Sequence, residues 1–408
     1  MSPEHLTPRE LPGARDVIAF SYSDWHASWS TPQQLMSRIA ETSRVLYVDQ
    51  PRSIFYGLKQ RDPQGAGVWE GPPLKQIGPT LWVYHPPTSF LPLGGIPFPI
   101  AKHVLLHNGR QLAAQVNAAA EEIGLRNPVL WNFSPLHAGA VTHVPHKLHV
   151  YDIADDWVNY IKRRSGRQLI QWAEEYLCRN ADLVLPSTEN IQKKWLALNP
   201  YSHVVPHAAD YPHFAKAAAP ETVVPDEIAR LPRPVIGSVG VIDPDRFDVE
   251  LIEYLSAARP QWSIALVGPP RADMDLGRIQ KLPNVYLTGN KAIADLPNYL
   301  KGMDVCLVPY KLNEATKNIY PLKLQEYLAT GKPVVSSAMP SIVPFEGAVR
   351  IARTREAWVE QIEAALREDG PGPRAERQAI ARANSWEHRA AEKWALIEAA
   401  ISRKEQKT

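Results

Sequence analysis

The stretch NIYPLKLQEYLATGKPVV, residues 318–335, holds a helix, its stop signal and the start of a strand. Proline suits the first helical position, and glycine followed two residues later by proline ends a helix, so Pro321, Gly331 and Pro333 predict a helix over 321–330. Along it Lys323, Glu326 and Thr330 share one polar stripe, and Leu324, Tyr327 and Leu328 an apolar one. The lysine is out of place, because the helix dipole disfavours positive charge in the first turn. A bound anion resolves the conflict: the unpaired N–H groups of a helix start attract phosphate, and Lys323 adds a full charge at the same spot. Glu326, three residues on, is then placed to accept hydrogen bonds from ribose hydroxyls, as acidic residues do in other nucleotide sites. The plainer reading is a surface Lys323–Glu326 pair, but such pairs contribute only about 0.2–0.5 kcal/mol and favour the acid first.

Outward from this stretch, short apolar runs alternate with helical patterns. In the first half the runs are residues 17–23, 44–50, 81–86, 129–134, 148–154 and 181–187; in the second they are 234–242, 262–269, 284–290, 304–310 and 332–338. Near-continuous apolar runs suit parallel strands buried on both faces, and their alternation with helices implies right-handed crossovers. One helix opens at Thr31 as cap, Pro32 as first residue and Gln34 completing a capping box, and another follows in GRQLAAQVNAAAEEIGL. The fold class read here is α/β, two doubly wound Rossmann-like domains facing a central cleft, since ligands collect at the carboxyl ends of such sheets. The seam is expected between Phe214 and Pro234, and a last helix, from about Arg374 to Lys404, is long enough to pack back across it.

Composition narrows the function. A length of 408 residues suits two domains, and 45% apolar with 22% charged residues is ordinary for a globular protein. A formal charge of +2 offers no basis for nucleic acid as a partner. Cys178 and Cys306 sit in apolar or helical stretches and read as buried residues of a reducing compartment. With no apolar signal core near the start and no run of 18 apolar residues, a cytoplasmic location is expected.

The string N-x-x-P-x-K-x-x-E-Y-x-A-x-G-K-P-V-V, with GSVG at 237–240 and VPHAAD at 205–210, resembles the two-domain GT-B glycosyltransferases, in particular their large, mostly retaining bacterial group. DWHASWSTPQQL and VYDIADDW resemble a subgroup that builds cell-surface polysaccharides and related glycans. The resemblance implies a flexible extension over residues 1–14, an acceptor domain over 15–215, a nucleotide-sugar domain over 216–385 and a final helix over 386–408. It implies that Gly240, Arg246, Lys323 and Glu326 bind the nucleotide and its diphosphate, and that Asn318, Ile319, Tyr320 and Pro321 stand beside the donor sugar. Asn318 departs from the glutamate that many relatives carry there. Asp152, where many relatives have histidine, is the implied catalytic residue, with Asp155, Asp156 and Trp25 beside the acceptor.

The implied reaction moves a sugar from a nucleotide-sugar, UDP being the commonest donor base in the group, to a glycan, lipid-linked or small-molecule acceptor, with retention and without cofactor or metal. Asp-x-Asp spacings at 243–245 and 273–275 imitate a metal site of another glycosyltransferase fold, yet such spacings arise by chance among 43 acidic residues. His26, His137 and His207 lie near strand ends, without the spacing of a zinc site. The proline-rich residues 86–100 are expected to be irregular. They and the basic run KRRSGR, residues 162–167, suggest peripheral membrane contact, set against simple packing over the domain and a solvated helix start. A nucleotide-sugar epimerase of the same architecture, and a silent homologue that binds nucleotide or glycan, remain as alternatives.

Overall fold

The computed structural model describes residues 15–27, 29–55 and 71–406, so the expected extension over 1–14 lies outside the described residues. The chain divides into two compact units, one formed by residues 1–206 and 389–408, the other by His207–His388.

The first unit holds a seven-stranded sheet. Its strands are β1 (Val17–Phe20), β2 (Val45–Val48), β3 (Leu74–Gln76), β4 (Leu81–Tyr84), β5 (Val129–Asn132), β6 (Leu148–Ile153) and β7 (Leu183–Pro186). They lie in the order β3-β4-β2-β1-β5-β6-β7, and every pair is parallel except β3 with β4. β1, β2 and β5 are buried along their whole length, as strands covered on both faces must be. The helices are α1 (Thr31–Ile39), α2 (Phe98–Glu122), α3 (Arg164–Asn180) and α4 (Glu189–Trp195). Leu105, Leu112 and Val116 of α2 and Leu169, Ala173 and Leu177 of α3 pack in one apolar cluster with Ile18, Phe20, Leu46 and Leu130 of the sheet. Each leucine, isoleucine, valine or phenylalanine side chain among them stabilises the fold by roughly 1.5–3 kcal/mol when fully buried.

The second unit holds six parallel strands: β8 (Val235–Val239), β9 (Ser263–Val267), β10 (Val285–Gly289), β11 (Val305–Val308), β12 (Val334–Ser337) and β13 (Arg350–Ala352). Their order is β10-β9-β8-β11-β12-β13. The helical segments are α5 (Tyr211–Phe214), α6 (Asp226–Ala229), α7 (Val249–Ala258), α8 (Leu296–Gly302), α9 (Leu322–Thr330), α10 (Arg355–Glu368) and α11 (Pro371–Ala383). The period-two alternation of strand side chains sorts the core into two layers. Val239, Cys306 and Val308 pack with α8, α9 and α11 on one face, whereas Ile236, Val305 and Leu307 pack with α7 and α10 on the other. The last helix, α12 (Trp386–Glu405), belongs to the first unit from Arg389 onward.

Four local expectations shift. The cap of α1 is Ser30, one residue earlier than read: its backbone N–H donates to Gln33 Oε1 at 3.1 Å, so the capping box closes on Gln33 rather than Gln34. Pro321 is the cap of α9 and not its first residue. The single terminal helix is two, broken where the Ser385 backbone N–H turns to Arg382. The 86–100 segment is irregular only to Pro97, because Phe98 starts α2 with proline in its first turn.

Glu174 of α3 is wholly buried, facing Tyr151, Cys178 and, at 3.6 Å, Lys194 Nζ. Burial pushes its carboxyl up to about 8, with Lys194 opposing and Asp156 adding to the rise. Between the unfolded value of 4.5 and about 8 the folded chain holds a proton that the unfolded chain lacks, so stability falls as pH rises through that window. Glu174→Gln is therefore expected to melt above the wild type at pH 8.5, by at least about 1 kcal/mol of relative stability, and to lose that advantage near pH 5. A melting difference that does not change between the two pH values would contradict the assignment.

Candidate active site

In a doubly wound sheet the strand order reverses at one point, and the loops part there to leave a crevice. In the second unit that point lies between β8 and β11. β8 is followed at once by Gly240, whose φ of +119° suits glycine alone, and whose backbone N–H donates to Val267 O at 2.8 Å. A side chain here would also meet Lys323: a Cβ on Gly240 would stand 3.4 Å from Lys323 Nζ. Lys323 lies in the first turn of α9, only 8% exposed, with its ammonium 4.8 Å from the centre of the Tyr310 ring beyond β11. The ring's negative face offers a buried cation partial compensation.

The position of α9 is fixed by Tyr327. Its hydroxyl accepts from the Val239 backbone N–H at 2.7 Å and donates to Val239 O at 3.2 Å, tying the middle of the helix to the end of β8. Gly331 ends the helix at φ +75°, and Arg377 Nε donates to its carbonyl at 2.9 Å. Glu326, half-buried one turn after Lys323, has its carboxyl pushed up to about 7 by desolvation; Lys323 pulls it down and Asp210 pushes it further up. Gly240 and Glu326 thus both lie beside Lys323; the helix spacing points to Glu326, and the resemblance implies Gly240.

Around them, Ile319 and Tyr320 are nearly buried and Asn318 half-buried; the Tyr320 hydroxyl accepts from Gln325 Nε2 at 2.8 Å, and Ser341 Oγ donates to Ile319 O at 2.6 Å. His207 packs its ring 6.3 Å from Tyr320 and 6.4 Å from Trp386. Arg246 turns to Asp243, with Nε donating at 3.0 Å. Three of the four Asp-x-Asp carboxylates face a guanidinium, Arg271 pairing with Asp243 at 3.0 Å, Asp245 at 2.7 Å and Asp273 at 2.5 Å, and Asp275 accepts from the Gly277 backbone N–H at 2.8 Å.

In the first unit Asp152 stands near the carboxyl end of β6, but its side chain is 2% exposed. Its Oδ2 accepts from Lys393 Nζ of α12 at 2.5 Å and from Trp131 Nε1 at 3.0 Å. Desolvation lowers the Lys393 pKa, which Asp152 raises back in part. The carboxylate therefore ties the sheet of its own unit to the last helix. Asp156 accepts from Lys194 Nζ at 3.1 Å and from Asn159 Nδ2 at 2.9 Å, and Asp155 lies half-buried beside it. Trp25 is buried, edge-on to Tyr47 at 5.0 Å, and its backbone N–H donates to Asp49 Oδ1 at 2.8 Å.

His137 sits at this sheet's own reversal point, between β1 and β5, stacked on Phe20 at 5.0 Å with Nδ1 3.2 Å from Asn132 Oδ1. Because an amide oxygen only accepts, Nδ1 carries the proton, and burial lowers the ring's pKa to about 3. His26 stacks on His85, whose Nδ1 is 2.5 Å from Asp49 Oδ2. The sequence reading missed this Asp49–His85 pair, along with Tyr310, Lys393 and the hydroxyl bonds of Tyr327, which it read only as apolar. Its only trace is the appearance of Asp and His immediately after the apolar runs of β2 and β4.

Residues 233–368 match the family profile of glycosyl transferases group 1, a span that contains Gly240, Arg246, residues 318–321, Lys323 and Glu326. A Bacillus subtilis (strain 168) protein provisionally named as the teichuronic acid biosynthesis glycosyltransferase TuaH is 31% identical over 205 residues, 47% of this chain and 51% of that protein. The chain thus spans about half the length of the curated relative it matches. Among solved structures, sucrose-phosphate synthase of Thermosynechococcus elongatus superposes with a TM-score of 0.66 at 18% identity, covering 95% of this chain and all of that one. The Escherichia coli trehalose-6-phosphate structure bound with UDP-2-fluoro glucose gives 0.69 at 13%, over 95% and 99% of the two chains. Anabaena Alr3699/HepE, in complex with UDP and glucose, gives 0.61 at 15%, over 95% and 99%.

Removing Lys393 alone leaves Asp152 as a buried, uncompensated charge, and Lys393→Met is expected to lose about 3–5 kcal/mol in denaturant unfolding. Asp152→Leu combined with Lys393→Met should recover most of that loss. A double variant as unstable as the sum of the singles would mean that the two groups act independently.

With the switch-point geometry and these similarities together, residues 233–368 are similar to the glycosyl transferases group 1 profile, in a chain that has the two-domain GT-B fold.

Proposed function

We propose that the protein is a glycosyltransferase that moves a sugar from a UDP-linked donor to a glycan, lipid-linked or small-molecule acceptor, with retention and without a metal, in the cytoplasm at the inner face of the membrane. One observation carries the reading: a nearly buried lysine stands at the start of α9, against a glycine turn at the sheet's reversal point, with a carboxylate one turn behind it. The match of this region to group 1 glycosyl transferases supports it, as do the UDP and UDP-sugar ligands of two structural neighbours. The teichuronic acid role in the name of the Bacillus relative supports a polysaccharide product.

Sugar transfer needs the departing diphosphate stabilised where charge develops. The N–H groups at the start of α9 and the Lys323 ammonium supply fixed positive charge there, and Gly240 lets backbone approach the phosphates. Arg246 is the further cation of this reading, reached through its loop. Glu326 accepts from the ribose hydroxyls, and residues 318–321 line the sugar. Asp155, Asp156 and Trp25 belong to the acceptor side. In a retaining transfer the leaving phosphate oxygen takes the acceptor's proton, so no protein nucleophile is required. Asp152 then serves by holding its strand to Lys393.

The test is thermal stabilisation by UDP, GDP, ADP and CMP. One of them, at about 100 times its dissociation constant, is expected to stabilise the wild type by roughly 2.7 kcal/mol, and Lys323→Ala and Glu326→Ala are expected to abolish the shift while folding normally. Ionised Glu326 is the better acceptor, so wild-type affinity should rise from pH 6 to pH 8 and that rise should vanish in Glu326→Gln. No stabilisation by any nucleotide would falsify the donor assignment. UDP released in step with sugar transfer separates this reading from an epimerase, which alters the sugar without releasing UDP.

A further inference from the structure

Two stretches of the first unit that are far apart in sequence meet at its surface. The loop after β4 carries prolines at 86, 87, 92 and 97, with Pro99 in the first turn of α2, and the basic run 162–167 leads into the first turn of α3. A Cβ on Gly95 of the loop would lie 3.5 Å from the Arg163 guanidinium, so the two stretches touch. A second link joins the helices behind them, where Lys102 Nζ of α2 sits 4.7 Å from the centre of the Trp172 ring of α3.

The combined surface is apolar and basic at once. Leu91 is 42% and Ile100 56% exposed, while Arg163, Arg164 and Arg167 are all exposed. Residues 81–120 contain two Lys or Arg and residues 157–173 contain four, with no Asp or Glu in either range. Exposed aliphatic side chains on a loop contribute nothing to the core, and proline removes backbone N–H groups that would otherwise need partners when water is withdrawn. Aliphatic side chains beside guanidinium groups match the boundary between acyl chains and phosphate headgroups, where each basic residue strengthens binding to an anionic surface.

We infer that this surface of the first unit, built from the 91–100 loop and helix start and the 162–167 run, binds the face of an anionic phospholipid bilayer. Both stretches follow strands at their carboxyl ends, the edge of the sheet that also carries Asp155 and Asp156. Bound this way, the enzyme holds its acceptor side toward lipid. The inference deepens the lipid-linked acceptor of the proposed function, yet it is measured without turnover, so a failure of either is told apart from a failure of the other.

The experiment is flotation of the full chain with vesicles of phosphatidylcholine alone or with about one third phosphatidylglycerol. The expected result is flotation with the anionic vesicles only, weakened by salt. At about fivefold per charge, the Arg163→Glu/Arg164→Glu variant should lose more than about tenfold in partitioning. Ile100→Asp, at an exposed helix start where an acid is tolerated, should lose severalfold, and Arg278→Glu in the second unit should bind as wild type. Melting curves check that each variant is folded. Absence of flotation, or unchanged flotation of the charge-reversed variant, overturns the inference. So does competition by soluble polygalacturonate together with full binding by Ile100→Asp, which would make the surface a polyanion site with no use for its aliphatic groups.

Discussion

Parallel strands covered on both faces impose one constraint from which the arrangement follows. Such a strand leaves few side chains for chemistry along its length, because most enter the two apolar layers, as those of Val235, Ile236, Val239 and Val305–Val308 do. Chemistry is confined to the residues just beyond the strands, and the order reversal opens one gap between β8 and β11 in which they converge. Gly240, Tyr310 and the start of α9 are the residues that fill it.

Within that gap the lysine is held against its own helix. The dipole opposes it and burial penalises it; the Tyr310 ring offsets part of both, and the Tyr327 hydroxyl keeps the helix from turning away. The charge is already in position in the structure, so the anion binding proposed above requires little reorganisation.

The strands were legible because each is a single apolar run, and the helix over 322–330 because proline, glycine and a stripe of three polar residues agree on it. Two strands escaped: β3, whose three residues hold a single apolar side chain at an antiparallel edge, and β13, three residues that begin with arginine. Lys323 and Glu326 were readable because their spacing is local and set by the helix period. Asp152 was placed correctly near a strand end, but its ion pair with Lys393 spans 241 residues of sequence, and no pattern on either element announces it. Asp49 and His85 were missed for the same reason: their meeting is made by the pairing of β2 with β4, not by any local motif.

The second unit is, in chain terms, an insertion between Pro206 and Arg389 of the first. Its two ends are stitched together: the Trp386 backbone N–H donates to Ala209 O at 3.2 Å and the Ala209 N–H to Asn384 O at 3.3 Å. Once folded, it therefore presents the first unit with two attachment points side by side rather than with a loop of nearly two hundred residues. Loop closure costs entropy, and a folded insert with adjoining ends removes that cost before Lys393 has to find Asp152. With the inserted unit folded, the effective loop between Asp152 and Lys393 is far shorter than the 241 residues that separate them in the chain, and the last helix has a short path home.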